Sequence, residues 1–382
     1  MRLLICAGGT GGGVYPALTV LRVMQESVRS KTGVEFSALW VGGVGGMEAD
    51  LVKREGIPFQ AIQAAGVHGV GLRTLPSNLL RLGRGYRQSQ KILHDFRPDV
   101  LFFTGGYVAV PMALAGRRVP TALYVPDIEP GLALKTLARF ADRIAVTAPP
   151  SQAYFARRAE LTVTGYPVRP GLGDWSREAA QQALGLSPDL PTLLVFGGSK
   201  GARSLNRALL AALPELLREM QVVHLSGQLD WPEVESASQE LAHQPETSEL
   251  VKRYRTFPYL HEEMGAALRA ADLVISRAGA SSLGEFPLMG LPAILVPYPY
   301  AWRYQKINAE YLVQHGAARL IQDSDLSVQL LPVVSELMRD RDQLERMAQA
   351  MRSLAQPGAA NSIAQLIQGL AVQKTPGKDM RR

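Results

Sequence analysis

Two glycine clusters stand where this sequence can do chemistry. Gly8-Gly9-Thr10-Gly11-Gly12-Gly13 follows the apolar run Leu3-Leu4-Ile5-Cys6-Ala7, and Gly197-Gly198-Ser199-Lys200-Gly201 follows Leu193-Leu194-Val195-Phe196. A helical pattern succeeds each: from Pro16 through Ala17, Leu18, Val20, Leu21 and Met24 in the first, and from Ala202 in the second. A glycine loop between strand and helix turns backbone N–H groups and the positive helix end toward an anion, most often phosphate. Neither cluster is a dinucleotide fingerprint, since the register of Gly9-x-Gly11 places Val14 where the third glycine belongs. No G-x-x-x-x-G-K-[ST] string occurs, which argues against P-loop triphosphate hydrolysis.

Other chemistries find little support. The six histidines (His68, His94, His224, His243, His261, His315) have no metal-ligand spacing, and Cys6 alone makes no zinc site. Of two D-x-D strings, Asp323-Ser324-Asp325 precedes a helix, where Asp325 reads as a cap, and Asp340-Arg341-Asp342 reads as a charged helical face. Neither Cys6 nor any serine near a histidine suggests a covalent nucleophile.

Two strand–glycine–helix openings about 190 residues apart predict two Rossmann-like units. In the first half, buried-strand runs stand at Phe36–Val41, Val100–Phe103, Thr121–Val125, Ile144–Thr147 and Leu161–Thr164. In the second they stand at Val222–Leu225, Leu273–Ser276, Ala293–Val296 and Ala318–Ile321. Helical stretches separate them, so the fold class is α/β with parallel sheets. Gly165-Tyr166-Pro167-Val168-Arg169-Pro170 reads as a hinge, which divides the chain into residues 1–165 and 166–358. An amphipathic helix over 359–373 is expected to return to the first domain, and 374–382 reads as a disordered basic tail.

The 382 residues carry 41 Lys plus Arg against 34 Asp plus Glu, for a net charge of +7. Residues 1–165 hold 19 basic and 11 acidic side chains, a net of +8; residues 166–373 hold 18 and 22, a net of −4; the tail holds 4 and 1, a net of +3. A basic first half points to a polyanionic partner, nucleic acid or an anionic membrane surface. An apolar fraction of 47% excludes intrinsic disorder, and one cysteine excludes a disulfide scaffold. No run reaches the ~18–20 apolar residues of a membrane span, and the N-terminus is too short in apolar residues for a signal peptide. A soluble protein of a reducing compartment is expected.

Several motifs, taken in order, make the reading specific. Gly8-Gly9-Thr10-Gly11-Gly12-x-Val14-Tyr15-Pro16-Ala17 resembles the opening of the MurG-type glycosyltransferases. Further matches are Gly46-Met47-Glu48-Ala49-Asp50-Leu51-Val52, Gly105-Gly106-Tyr107-Val108, Pro130-Gly131-Leu132, Pro167-Val168-Arg169, Gly197 to Arg203, Ser276 to Ser282, Glu285 and Gln305-x-x-Asn308-Ala309. The resemblance spans about residues 1–372. It implies the GT-B architecture, two Rossmann-like domains facing across a cleft, with the donor nucleotide held mainly by the second. It also implies transfer of N-acetylglucosamine from its UDP ester to lipid I, giving the lipid II precursor of peptidoglycan. No cofactor or metal is expected.

Carried over residue by residue, the resemblance implies that Ser199 bonds a diphosphate oxygen and that Arg169 neutralises the leaving UDP. Ala280, Ser281, Ser282, Leu283, Gly284 and Glu285 would wrap the nucleotide sugar, with Glu285 accepting the ribose hydroxyls. Gln305 would bond the sugar, and Leu260 would lie against the uracil beside an apparent insertion at His261. Thr10, Gly11 and Gly12 would face the reaction centre. Gly13 and Tyr107 belong on the acceptor side.

The sequence departs from the family where the proton must go. The family carries a histidine, a favoured base candidate, where this chain has Gly13. The family's His-Glu-Gln-Asn is Tyr124-Val125-Pro126-Asp127 here, Tyr304 replaces a usual polar residue, and Tyr166 replaces an asparagine. A relocated base is therefore expected at Asp127, with Glu129 as the second candidate.

Between Arg73 and Lys91 the chain carries Arg73, Arg81, Arg84, Arg87 and Lys91 with no acidic residue, interleaved with Leu72, Leu75, Leu79, Leu80, Leu82 and Tyr86. That pattern suits an anionic bilayer surface, and the resemblance implies peripheral attachment at the inner face of the cell membrane. A core helix with a solvated basic face is the plainer alternative. Nucleic acid is disfavoured, because aromatics are few and no RNA-reading motif occurs. The competing functions are a glycolipid synthase with another membrane acceptor, a UDP-sugar epimerase of the same architecture, and a non-catalytic binding protein.

Overall fold

The computed structural model describes residues 1–8, 11–29, 35–46, 48–64, 75–155, 160–198, 201–300 and 304–373. Its packing separates two units: Met1–Arg169 together with the segment from Pro357, and Pro170–Gln356. The first runs β1 (Arg2–Cys6), α1 (Gly11–Arg29), β2 (Ser37–Gly43), α2 (Glu48–Arg54), β3 (Phe59–Ile62), α3 (Leu75–Phe96), β4 (Val100–Phe103), α4 (Ala109–Ala115), β5 (Thr121–Val125), α5 (Leu132–Leu137), β6 (Arg143–Val146) and β7 (Glu160–Val163). The second runs α6 (Arg177–Leu184), β8 (Thr192–Phe196), α7 (Arg203–Glu219), β9 (Gln221–Leu225), α8 (Trp231–His243), β10 (Tyr254–Phe257), α9 (Met264–Ala270), β11 (Leu273–Ser276), α10 (Glu285–Met289), β12 (Ala293–Leu295), α11 (Tyr304–Gln314), β13 (Ala318–Leu320), α12 (Leu326–Arg339) and α13 (Arg341–Ser353). Helix α14 (Ala359–Gln373) then packs on α1 of the first unit.

Both sheets are parallel, ordered β3-β2-β1-β4-β5-β6-β7 and β10-β9-β8-β11-β12-β13. The central strands are apolar on both sides because helices cover both faces. In β1, Leu3 and Ile5 join Ala17, Val20, Leu21 and Met24 of α1 and Ile363, Ile367 and Leu370 of α14. Leu4 and Cys6 point the other way, among Ile92, Met112 and Leu134 of α3, α4 and α5. In the second unit, Leu193 and Val195 of β8 pack on Leu205, Leu209 and Leu213 of α7 and on Leu330, Val334 and Leu337 of α12.

Two expectations change. Helix α1 begins at Gly11, so Pro16 lies inside it, where it cannot serve the Gly12 carbonyl with an N–H. The unit boundary falls after Arg169 instead of Gly165, because Tyr166 and Pro167 are buried and Arg169 stacks 5.4 Å from the ring centre of Tyr15.

Candidate functional site

In each unit the candidate residues gather at the C-terminal ends of the central strands, where ligands bind in open α/β sheets. In the first unit Gly11 and Gly12 open α1; Thr10 lies outside the described residues. Gly13 is buried, and its carbonyl accepts a 2.7 Å hydrogen bond from Thr104 Oγ1, just past β4. A Cβ at position 13 would lie 3.2 Å from Thr104 O and 3.3 Å from Thr104 Oγ1. Thr104 thus fills the space beside the helix where the family carries its histidine. The following loop presses equally close: Gly106 has φ +86°, and a Cβ there would stand 2.7 Å from Gly8 O. Tyr107 emerges from this loop 48% exposed.

Beyond β5 the chain forms a braced turn. Thr147 Oγ1 lies 2.8 Å from Pro126 O and 3.1 Å from Val125 O, and Tyr124 Oη sits 2.7 Å from the same hydroxyl. Burial pushes the Tyr124 phenol well up; the neighbouring Asp127 carboxylate adds to this, against the Thr147 hydrogen bond. Ile128, Glu129 and Pro130 are buried, while Asp127 is half-buried. Glu129 is 2% exposed, and Lys135 Nζ donates to its Oε1 at 3.3 Å. Lys135 in turn lies 5.5 Å over the Tyr154 ring. Of the two candidate bases, Glu129 is thus enclosed and ion-paired, whereas Asp127 is half-buried. Cys6 is no nucleophile: burial, with Glu48 nearby, pushes its thiol far up.

In the second unit Ser199 lies outside the described residues; Gly201 and α7 lie within them. Gly201 has φ +81°, and a Cβ there would stand 2.2 Å from Ser226 O at the end of β9. Asn206 of α7 donates from Nδ2 to Ser226 O at 2.9 Å and to Asp230 Oδ2 at 3.0 Å. Arg203 Nε donates to Asp230 Oδ1 at 3.0 Å. His224 bridges Asn206 Oδ1, 3.0 Å from its Nε2, and Tyr254 Oη, 2.7 Å from its Nδ1.

Ala280–Leu283 forms a 3₁₀ turn in which Ser282 Oγ donates to Gly279 O at 2.6 Å. Ala280, Leu283 and Gly284 are buried, Ser281 is half-buried, and Glu285 begins α10 at 8% exposure. Gln305 Oε1 accepts the Tyr298 N–H at 2.9 Å, which orients its amide NH2 the other way. Leu260 is buried beside the edge-to-face pair Tyr259–His261. Tyr304 is half-buried and Tyr166 buried.

Sequence reasoning passed over Arg277. It donates to Val296 O at 3.2 Å and Ser204 Oγ at 2.8 Å, pairs with Asp323 Oδ1 at 2.5 Å, and lies over the Tyr298 ring. Asp323, from the first D-x-D string, is this arginine's counter-ion. The only sequence signal was the position of Arg277 inside the Ser276–Ser282 motif.

Helix α3 presents the basic segment. Arg73 and the side chains of Leu75 and Leu79 lie outside the described residues. Gly85, Ser89 and Ile92 are buried, and the helix packs on α4. Arg81, Arg84, Tyr86, Arg87 and Lys91 are exposed, as is Leu80 at 66%. Leu114, Arg117 and Arg118 are exposed at the end of α4. Among the described residues no helix is long and apolar enough to cross a membrane.

Comparison with known proteins decides the family. Residues 3–146 match the glycosyltransferase family 28 N-terminal domain, and residues 192–366 match its C-terminal domain. The chain belongs to glycosyltransferase family 28. A Roseiflexus sp. relative of this family is 40% identical across 98% of this chain and 96% of its own length. It is named UDP-N-acetylglucosamine–N-acetylmuramyl-(pentapeptide) pyrophosphoryl-undecaprenol N-acetylglucosamine transferase. Among solved structures, Acinetobacter baumannii MurG is 28% identical with a TM-score of 0.75, covering 96% of this chain and 99% of that one. The family 28 architecture is the two-sheet GT-B fold. A Neisseria meningitidis UDP-N-acetylglucosamine 2-epimerase, 12% identical with a TM-score of 0.66 over 98% and 100% of the two chains, shares that fold alone.

Proposed function

We propose that this family 28 enzyme transfers N-acetylglucosamine from UDP-N-acetylglucosamine to the C4 hydroxyl of undecaprenyl-diphospho-N-acetylmuramoyl-pentapeptide, converting lipid I to lipid II. The observation that carries the reading is 40% identity to a transferase of that name along 98% of the chain, through both units.

The reaction is a single inverting displacement. The acceptor C4 oxygen bonds to the anomeric carbon as the bond from that carbon to the UDP β-phosphate oxygen breaks. UDP departs with the bonding electrons, and Asp127 takes the hydroxyl proton. This role is typically worth ~10²–10⁴ in rate. Its support is position: Asp127 is a half-buried residue between buried neighbours in the braced turn just past β5. The N-terminal turn of α7 receives the diphosphate, and the Arg169 guanidinium offsets the charge that develops on it. Glu285 takes the ribose hydroxyls and Gln305 the sugar. These groups neutralise the leaving UDP without a divalent cation, so turnover is expected to survive chelation.

The exposed row Leu80, Arg84, Arg87 and Lys91 recurs at helical spacing opposite the buried side of α3. This supports attachment to an anionic bilayer, where each cation near the surface is worth ~1 kcal/mol. Sedimentation with liposomes, with and without anionic lipid, tests it; equal binding to both would remove the membrane reading.

The deciding experiment incubates the protein with labelled UDP-N-acetylglucosamine, with and without a lipid I analogue, in the presence of EDTA. Label in the lipid fraction only when acceptor is present is expected. Conversion of the donor to another UDP-sugar without acceptor would overturn the assignment in favour of an epimerase.

A further inference from the structure

A buried polar chain under the second glycine loop is not used by the transfer step. His224 is fully enclosed in β9, and burial lowers its pKa to about 3, so the ring is neutral. A neutral imidazole has one donor and one acceptor, and here the neighbours decide which is which. Asn206 points its Nδ2 at two pure acceptors, Ser226 O at 2.9 Å and Asp230 Oδ2 at 3.0 Å. Its Oδ1 must therefore face His224 Nε2 at 3.0 Å, and that nitrogen carries the proton. Nδ1 is left bare and accepts from Tyr254 Oη at 2.7 Å. Burial pushes the Tyr254 phenol up, keeping it a donor. Each proton has one direction, from Tyr254 to His224 to Asn206 and on to Ser226 and Asp230.

Both final acceptors of this chain brace the strand-to-helix passage. The Ser226 carbonyl is the atom against which Gly201 packs, with room for no side chain. Asp230 holds Arg203, the first residue of α7, through a 3.0 Å bond from the Arg203 Nε. Gly201 and the start of α7 are thus clamped from below. Satisfied buried networks fix one geometry at a cost that apolar packing would not incur.

We propose that His224 is a positioning residue for the donor diphosphate: its Nε2–H, directed by Tyr254, sets the Asn206 amide and so holds Gly201 and the start of α7 in place. The inference rests on reading the second unit as the UDP-sugar domain. It predicts that the relay matters to the phosphates of the donor and not to its nucleoside.

The test is calorimetric binding of UDP and of uridine to the full-length protein. His224→Leu removes the donated bond at similar volume; it is expected to weaken UDP about tenfold or more while changing uridine less than about twofold. His224→Gln places an amide donor near Nε2 and should return UDP to within about threefold of the parent. Tyr254→Phe, a milder change should His224→Leu fail to fold, is expected to weaken UDP about three- to tenfold and spare uridine. Equal losses of UDP and uridine, a Gln variant as poor as Leu, or unchanged UDP binding in the Leu variant would each overturn the relay. A parent protein that binds neither ligand would instead overturn the UDP-domain reading beneath it.

Discussion

The two glycine loops open alike in sequence and are supported by different physics. The first is held mainly by close backbone approach, Gly106 against Gly8 O, with one side-chain bond from Thr104 Oγ1 to Gly13 O. Glu48, 1% exposed, presses against Gly8 and Gly46 and accepts the Gly43 N–H at 2.8 Å. The second is held by directed hydrogen bonds from Asn206, His224, Tyr254 and Asp230. A network with a single arrangement directs the groups it holds, whereas close backbone packing only excludes side chains. One strand–glycine–helix motif is therefore braced in two ways.

The sharpest way to break the comparison is Gly201→Ala. Its positive φ and a Cβ 2.2 Å from Ser226 O leave no accommodation, so a loss above about 4 kcal/mol is expected in denaturant unfolding, with UDP binding abolished. A variant unfolding like the parent would contradict the described packing.

Acid should separate the loops next. His224 ionises near 6.5 when unfolded and at about 3 when folded. Between those values the unfolded chain binds the extra proton, so stability is full above pH 6.5 and falls as pH drops toward 3, by a few kcal/mol. Hydrogen exchange of α7 should accelerate over that window before that of α1, and His224→Gln should flatten the slope. An unchanged slope in that variant would assign the effect elsewhere.

Asp127→Asn addresses the first unit. Turnover should fall about a hundredfold or more while UDP affinity holds. A loss under tenfold in a folded protein would eliminate Asp127 as the base. The smallest effect belongs to Gly13→Ala, where Thr104 must yield a few tenths of an ångström. About 1 kcal/mol or less is expected by thermal melting, and a loss several times larger would show that Thr104 cannot yield.

Much of this was legible in the sequence. The inner strands β4, β5 and β11 fall where continuous apolar runs predict them, because a strand covered on both faces can carry few polar residues. The two strands missed, β3 (Phe59–Ile62) and β10 (Tyr254–Phe257), are the outer edges of their sheets on the same side of the order. Their polar residues break the run that betrays the others. Among candidate site residues, comparing family positions proposed Asp127 and Glu129 by type, but the burial of Glu129 and its pairing with Lys135 were invisible in the sequence. Arg277, Asp323, His224 and Tyr254 are distant in sequence and meet only through the sheet order, so no local spacing announces them.

Helix α14 gives the first unit a dependence on time. Ile363, Ile367 and Leu370 complete the core around Leu3 and Ile5, yet the ribosome makes them after the whole of the second unit. The N-terminal sheet emerges first and must wait, one apolar face open, while Pro170–Gln356 closes on itself. The half of the molecule synthesised earliest is therefore the half finished last, and a chain halted before Ala359 would leave it with an uncovered apolar surface.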